Sequence, residues 1–370
     1  MKNNNYVFLA DAFGYGPINT LCQIVIKLQK KLKGNYIFVG PKMCISQAKK
    51  YNIFHEFIEM NYTNNEIDQN KETFLNANKI IAVETTDILI YLINHYKIKN
   101  IYLIDNLFWM WDYLEPELKE IKKYYISNVI DCTSNIERIA KDFSNLMSVG
   151  ALRQMNKFKK ITKNNLIISL GGAESYMFSE NDIEDYYLNT IKIILDTKYI
   201  NKFSKIYIAG GESIIKYLKK NIINERAEIK TYNNSEYLNI LYNCSHAIMS
   251  PGLGNFNEVI STDIKCLFLL PINYSQYLQR NIYKSLNIGF HFQENNKEKH
   301  IAKYLSEDEG VQKVINNLKC YDFYAFKEEL TSYFEDISNT MKREEFYNTI
   351  DKNGIKEICN DILKEEQWEK

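Results

Sequence analysis

Ser250-Pro-Gly-Leu-Gly-Asn-Phe-Asn-Glu258, followed by Leu269-Leu-Pro-Ile-Asn-Tyr-Ser-Gln-Tyr-Leu-Gln279, decides how the chain reads. The first stretch comes directly after His246-Ala-Ile-Met249, an apolar run with the length of a short buried strand. Ser250, Gly252 and Gly254 then make a turn, and a helical pattern carrying one acid, Glu258, follows. A glycine-bearing turn lets backbone N–H groups and a helix N-terminus approach a phosphate closely. An acid about one turn into that helix can accept hydrogen bonds from ribose hydroxyls. The plainer reading of Glu258 is a solvent-facing helix residue. Downstream, Gln276 and Gln279 stand at i and i+3, which is one helix face. Glutamine both donates and accepts, so the pair suits sugar hydroxyls, and it equally suits an exposed helix surface.

Three more strand-like runs flank this motif in the second half of the chain. Leu166-Ile-Ile-Ser-Leu170 ends in Gly171-Gly172-Ala173, Lys205-Ile-Tyr-Ile-Ala209 ends in Gly210-Gly211, and Cys266-Leu-Phe-Leu-Leu270 ends at Pro271. Short apolar strands that each run into a small or breaking residue describe the carboxyl edge of a doubly wound sheet, where open α/β sheets bind ligands. The N–H groups of Gly171, Gly172 and Ala173 could meet a diphosphate; a tight turn alone would look the same.

The first half alternates in the same way. Tyr6–Ala10, Asn35–Gly40, Lys79–Val83 and Ile101–Ile104 read as strands, with Asn128–Cys132 as a last one. Ile18 to Leu32 and Ile88 to Tyr96 carry apolar residues at helical spacing. Strands separated by such helices imply right-handed crossovers and a parallel sheet. Lys157-Phe-Lys-Lys-Ile-Thr-Lys163 is basic and reads as a solvated boundary. The expected organisation is therefore an N-terminal Rossmann-like domain over 1–155 and a C-terminal Rossmann-like domain over 164–325. Charged helices over 326–370, poor in apolar anchors, would pack back toward the N-terminal domain.

Between the first strand and first helix lies Phe13-Gly-Tyr-Gly-Pro17. Gly14 and Gly16 allow close backbone approach, and Pro17 is pre-organised for a helix start. The loop is either a βα turn or a cradle for a sugar or phosphate. It is not a dinucleotide fingerprint, because the third glycine position holds Asn19. Asp105-Asn-Leu-Phe-Trp-Met-Trp-Asp112 packs Trp109 and Trp111 between two acids. It is either an aromatic wall for a flat ring or a core-filling turn, with one Trp inward and one toward a cleft.

Bulk composition narrows the classes. The chain of 370 residues is 45% hydrophobic, and Lys+Arg and Asp+Glu are both 46, giving zero formal net charge. Nucleic-acid binding, which shows as a basic excess, is disfavoured. The seven cysteines are dispersed, form no CxxC, and fit reduced thiols in a cytoplasmic setting. No run is long and apolar enough for membrane insertion. The five histidines are dispersed as well, and neither His246 nor His291 has a partner at usable spacing.

Gly252-Leu-Gly-Asn-Phe-Asn-Glu258 resembles the Gly-x-x-x-x-x-Glu stretch of GT-B glycosyltransferases of the MurG and UDP-glycosyltransferase type, whose Glu holds the nucleotide ribose. Ser275-Gln-Tyr-Leu-Gln-Arg280 is similar to that family's Asp-Gln-x-x-Asn-Ala, with Ser275 replacing the acid and Gln279 the Asn. Gly150-Ala-Leu-Arg153 resembles its Gly-Asn-Pro-Val-Arg linker entry without the Pro, which would put Arg153 near phosphate. Gly14-x-Gly16 resembles its N-terminal glycine loop, without the family's usual His. The stretches Asp11–Pro17 and Asp105–Asp112 further resemble a branch of cytosylglucuronic acid synthase-like proteins, which join a sugar from UDP-glucuronate to a pyrimidine nitrogen.

The resemblance implies a GT-B fold, two doubly wound Rossmann-like domains facing across a cleft. It implies transfer of a hexose or hexuronate from a UDP-sugar co-substrate to a small acceptor, a nucleobase nitrogen in the narrower branch. The implied donor residues are Gly14, Gly16, Arg153, Gly171, Gly172, Ala173, Gly210, Gly252, Gly254, Asn255, Glu258, Gln276 and Gln279. Phe13, Tyr15, Trp109 and Trp111 would face the acceptor. No cofactor or metal is implied, in keeping with the absence of Asp-x-Asp. An inverting transfer needs a base on the acceptor side, and the acids at strand ends are Asp11, Glu84 and Asp105, in that order of preference. A nucleotide-sugar 2-epimerase or hydrolase, and a non-catalytic nucleotide-binding subunit, stay open as alternatives.

Overall fold

The computed structural model describes residues 4–153, 158–159, 161, 163–172, 181–291, 300–335 and 341–368. Two compact units emerge: Met1–Gln154 with Ile350–Lys370, and Met155–Thr349. Ala173 lies outside the described residues.

The first unit is built on a seven-stranded, all-parallel sheet in the order β3-β2-β1-β4-β5-β6-β7. The strands are β1 (Asn5–Ala10), β2 (Asn35–Gly40), β3 (Glu56–Glu59), β4 (Lys79–Val83), β5 (Ile101–Asp105), β6 (Lys123–Ser127) and β7 (Leu146–Val149). Every residue of β4 and β5 is buried, as expected of central parallel strands covered on both faces. The helices Gly16–Leu28 and Thr86–Tyr96 follow β1 and β4.

Asn128–Cys132 is not the last strand; β6 and β7 flank it. The Asn128 side chain accepts from the Cys132 amide at 3.2 Å and Asp131 accepts from the Thr133 amide at 3.0 Å. Short polar side chains that capture backbone donors make turns and withdraw the segment from a ladder.

The chain's last helix, Gly354–Trp368, belongs to this first core. Its Ile355, Ile358, Cys359 and Ile362 are buried among Ile24, Leu28 and the β1 side chains. The spacing i, i+3, i+4, i+7 is one apolar stripe, and of the 326–370 tail it is Ile350–Lys370 that groups with the first unit, residues up to Thr349 grouping with the second. Entry to it is tight. A Cβ on Gly150 would stand 2.4 Å from the Asp351 carbonyl, and the Ala151 amide donates to that same carbonyl at 2.7 Å.

The second unit carries a six-stranded parallel sheet in the order β10-β9-β8-β11-β12-β13. Its strands are β8 (Leu166–Ser169), β9 (Ile206–Ala209), β10 (Ala227–Lys230), β11 (His246–Met249), β12 (Lys265–Phe268) and β13 (Phe290–His291). Lys159, in the basic stretch read as solvated, forms a parallel bridge to Thr262, its amide donating to Ser261 at 2.9 Å. Arg343, 2% exposed, comes from the helix Met341–Thr349 and donates to the Ile264 carbonyl.

Candidate functional site

Each sheet reverses its winding direction once, between β1 and β4 in the first unit and between β8 and β11 in the second. Such a switch point opens a crevice beyond the carboxyl ends of the two strands. Asp11 and Glu84 flank the first of these points, and Gly171 and Ser250 the second.

In the first unit, Asp11 follows β1, Glu84 follows β4, and Asp105 ends β5. The Asp11 amide donates to Val83 O and the Glu84 amide to Ile104 O, each at 3.0 Å, so the three acids end three adjacent strands. Their surroundings differ sharply.

Asp105 is 2% exposed. Its Oδ1 accepts from the Leu107 amide at 2.6 Å, and its Oδ2 from Trp111 Nε1 and Tyr124 OH, both at 2.8 Å. Burial raises its pKa against the pull of these donors. With its lone pairs so engaged, Asp105 serves as the internal staple of the aromatic turn. Phe108, Trp109 and Met110 of that turn are buried, and Asn135 donates to Phe108 O at 2.9 Å and to Trp111 O at 3.2 Å. Trp109 thus fills the core, while Trp111 is half-buried.

Glu84 adopts the left-handed backbone, φ 60°, which a non-glycine residue takes only under constraint. Its Oε1 accepts from Asn106 Nδ2 at 2.9 Å. Burial pushes its pKa up to about 8; the Asn106 hydrogen bond opposes this, and the Asp105 and Asp11 charges add to it. Glu84 is therefore mostly protonated at pH 7. Asp11 is half-buried, and its Oδ1 accepts from the Ala12 amide at 2.7 Å. Burial pushes it up to about 6, against that hydrogen bond and with a smaller lift from Asp87. Of the three acids, Asp11 is the one mostly ionised at pH 7 with an oxygen to spare.

The glycine loop lies beside Asp11. Gly14 has φ +67°, which explains a glycine there, but a Cβ on either Gly14 or Gly16 would meet nothing within 4 Å. Packing does not require Gly16; bare space adjoins it. The helix it opens has no side-chain cap and no acid in its first turn, so its first N–H groups remain available to an anion. Phe13 and Tyr15 are half-buried, with Lys50 Nζ 6.0 Å from the Tyr15 ring centroid. Arg153 is half-buried too.

In the second unit, the turn after β11 delivers Gly252 as N-cap of the helix Leu253–Ile260. Three helices at this carboxyl edge can be compared. Glu212–Asn221 carries an acid in its first turn, and Tyr274–Ser285 is capped by Asn273, whose Oδ1 accepts from the Gln276 amide at 2.9 Å. Leu253–Ile260 has neither device, which leaves its N-terminal donors the most open to an anion.

Gly171, φ +69°, follows β8, and its Cβ would stand 3.0 Å from Ser250 Oγ across the switch point. Gly172, beside it, is half-buried. Asn255 ties the two sides together. Its Nδ2 donates to Ser250 O at 2.9 Å, and its Oδ1 accepts from Tyr237 OH at 3.0 Å and Ser169 Oγ at 3.4 Å. Tyr237 escaped the sequence reading because nothing local marks one tyrosine in the helix Asn234–Leu241. Gly210 is accounted for by packing, with Ile214 Cγ2 3.1 Å from where its Cβ would stand.

Glu258 is 6% exposed and so is no surface residue. Gly254 lies half-buried in the same helix. Gln276 reaches the start of this helix from Tyr274–Ser285, which also carries Gln279. Gln276 Oε1 takes the Ile272 amide at 3.1 Å, and its Nε2 reaches 4.0 Å from the Cβ position of Gly252. Gln279 is 2% exposed and its Oε1 has no hydrogen-bond partner among the described residues. A buried acceptor left open is costly unless something fills it. Arg280, next to it, is fully buried. Its size and polarity in a core were not signalled by the surrounding pattern.

The histidines stand apart. His246 begins β11 and packs on Phe203 and Tyr333; burial lowers it to about 4. His291 lies against Phe268, and burial lowers it to about 3. Among the described residues, no group of three or more His, Cys, Asp or Glu is placed to hold a metal ion, and no helix is long and apolar enough to cross a membrane.

No protein-family model matches the chain, and no curated protein matches it in sequence. Solved structures do match in fold. MurG of Acinetobacter baumannii aligns with a TM-score of 0.56 at 10% identity, over 98% of this chain and 99% of that one. UGT2 of Phytolacca americana, solved with UDP-2-fluoro-glucose and pterostilbene, aligns with a TM-score of 0.55 at 9% identity, over 98% and 99%. The glycotransferase of kitacinnamycin gives 0.52 at 9% identity, over the same shares. At such identities the likeness is one of fold: the chain has the two-domain α/β architecture of GT-B glycosyltransferases.

Proposed function

We propose that the chain is a glycosyltransferase that moves a hexose or hexuronate from a UDP-sugar to a small acceptor, a nucleobase nitrogen in the narrower reading. The nucleotide-sugar binds the second unit and the acceptor the first. The observation that carries this is the Ser250–Glu258 motif at the β8/β11 switch point. There an uncapped helix start, a buried Glu258 and the open buried acceptor of Gln279 belong to one stretch of chain and the helix beside it.

In this reading the first N–H groups of Leu253–Ile260 and the turn at Gly171 and Gly172 stabilise the diphosphate. Glu258 accepts from the ribose hydroxyls, and Gln276 and Gln279 address the sugar. The acceptor nucleophile attacks the anomeric carbon as the bond to the diphosphate oxygen breaks. UDP leaves with that electron pair, and the acceptor proton passes to Asp11. Glu84, neutral, donates a hydrogen bond rather than taking the proton, and Trp111 offers the acceptor a ring face. The transfer is metal-independent, because backbone donors neutralise the leaving group. A cytoplasmic setting is supported by seven cysteines, all unpaired.

Calorimetry against UDP, TDP, GDP and ADP tests nucleotide binding, with UDP expected to bind tightest. Acceptor-dependent UDP release then marks a transferase. Acceptor-free sugar inversion would mark an epimerase instead, and binding without turnover a binding subunit.

A further inference from the structure

The seven-stranded sheet forks at its carboxyl edge. Between β1 and β2 the register runs from Asn5↔Asn35 to Phe8↔Phe38 and ends there. β1 stays paired with β4 as far as Ala10↔Val83, and β2 with β3 as far as Gly40↔Glu59. The phenol of Tyr62, a residue just beyond β3, fills the fork. Its hydroxyl lies 3.0 Å from the carbonyls of both Ala10 and Val39 and shares its one proton between them, while its oxygen accepts from the Ala10 amide at 3.4 Å. Burial pushes the phenol well above its ordinary pKa, so that proton stays in place. A Cβ on Gly40 would stand 2.8 Å from the hydroxyl, so glycine at 40 leaves the phenol its room.

Tyr62 holds this place under backbone strain. Its φ is 62°, in the left-handed region that a bulky side chain rarely enters. Its neighbours are tied down on either side: Glu66 Oε2 accepts from the Asn61 amide at 3.1 Å and from Thr63 Oγ1 at 2.8 Å. A strained residue braced in this way points to a use for its side chain. What the phenol holds is the peptide between Ala10 and Asp11. The carbonyl and N–H of a trans peptide face opposite ways. Here the carbonyl takes the Tyr62 proton on the β2 side, and the N–H donates to Val83 O at 3.0 Å on the β4 side. Beyond Asp11, its own carbonyl accepts from Cys44 Sγ at 3.5 Å, and its Oδ1 from the Ala12 amide at 2.7 Å. Asp11 is thus set between two anchored peptides, which fixes the direction in which its side chain leaves the backbone.

We propose that Tyr62 is a positioning residue for the transfer: its phenol, wedged where β1 and β2 part, sets the Ala10–Asp11 peptide and through it aims the Asp11 carboxylate at the acceptor. Tyr62 acts through Asp11 and needs no contact with substrate. A general base works only within hydrogen-bond reach of the proton it takes. A displacement of about 1 Å at a catalytic group can slow a reaction by about 10²-fold. The inference rests on the proposed reading of Asp11 as the base.

The test is a double-mutant cycle on the full chain, read as UDP release from UDP-glucose and from UDP-glucuronate with cytosine, uracil or phenol as acceptor. Tyr62→Phe keeps the ring and removes only the hydroxyl; it should lower kcat by about tenfold and leave KM for the UDP-sugar within about twofold. In an Asp11→Asn background, which has no base left to aim, the same change should add no more than about a twofold loss. A merely structural tyrosine would lower turnover by the same factor in both backgrounds. Thermal melts confirm folding. If Tyr62→Phe does not fold, Gly40→Ala, which crowds the hydroxyl while Tyr62 is kept, goes through the same cycle. Wild-type kcat in the folded variant, or equal losses with and without Asp11, overturns the inference and leaves the reading of Asp11 standing. Wild-type kcat in Asp11→Asn, or no UDP release by the wild type, sinks that reading and the inference with it.

Discussion

The amide of Asp11 donates to the carbonyl of Val83 at 3.0 Å, which puts the first residue beyond β1 beside the first residue beyond β4. Asp11 and Glu84 thus flank the same switch point with different proton affinities, about 6 and about 8. Carboxyls pushed apart in this way divide the roles of base and hydrogen-bond donor.

The base assignment has a pH signature. Asp11 must be ionised to take a proton, so turnover should rise with pH through about 6 and level off above it. Asp11→Asn should lower turnover by about 10²- to 10⁴-fold and abolish that limb. A pH–rate profile of both proteins checks this; an unchanged limb in the variant would remove Asp11 from the role.

Glu84 makes the opposite kind of statement, about stability. Its pKa is higher folded than in a free chain, so the folded state holds more protons between about 4.5 and about 8. The slope of unfolding free energy with pH is then negative across that window, and Glu84 costs stability as pH rises. Glu84→Gln keeps an acceptor for Asn106 and removes the titration. Discounted for its partial exposure, the variant should gain about 2 kcal/mol over wild type at pH 8 and about nothing at pH 4. Denaturant melts at the two pH values measure the difference.

Asp105→Asn should act through structure. The amide end cannot accept from both Trp111 and Tyr124, and a buried donor is left open at a cost of about 1–3 kcal/mol. Near-ultraviolet circular dichroism should show the loosened tryptophans, and melts the lost stability.

Two glycines should respond oppositely to alanine. A Cβ on Gly252 approaches nothing nearer than Gln276 Nε2 at 4.0 Å, whereas one on Gly310 would lie 2.3 Å from the Tyr274 ring. Gly252→Ala should fold with wild-type stability, within about 0.5 kcal/mol, yet bind UDP more weakly. Gly310→Ala should lose about 1–3 kcal/mol or fail to fold. Melts and UDP calorimetry on the pair separate a glycine kept for a ligand from one kept for packing.

Filling the site by apolar substitution is a further check. Gln279→Met removes an unsatisfied buried acceptor at nearly constant volume. It should leave stability equal or higher by about 1 kcal/mol, while UDP-sugar affinity falls about tenfold. Stability lost with affinity intact would make Gln279 a core residue.

The central strands were readable because both faces are covered and their residues are apolar in unbroken runs, as in Ile80–Val83 and Ala247–Met249. The edge strands β3 and β10, Glu56-Phe-Ile-Glu59 and Ala227-Glu-Ile-Lys230, carry two charges in four residues and pass for loops. Gly252, Glu258 and Gln276 could be found by spacing along the chain. Tyr237 and Tyr62 could not, since their contacts join elements that are separate in sequence. The stripe Ile355, Ile358, Cys359, Ile362 was legible in period and obscured by the charges between its members.

That stripe makes the first core discontinuous along the polypeptide. During synthesis, Ile24 and Leu28 leave the ribosome more than three hundred residues before the Ile362 they pack with. The stretch between them holds everything the second unit needs, so that unit can finish folding while the first still exposes an apolar groove on its opening helix. Nascent chains stalled before residue 350 should therefore bind chaperones through the amino-terminal half and release them when the last helix emerges.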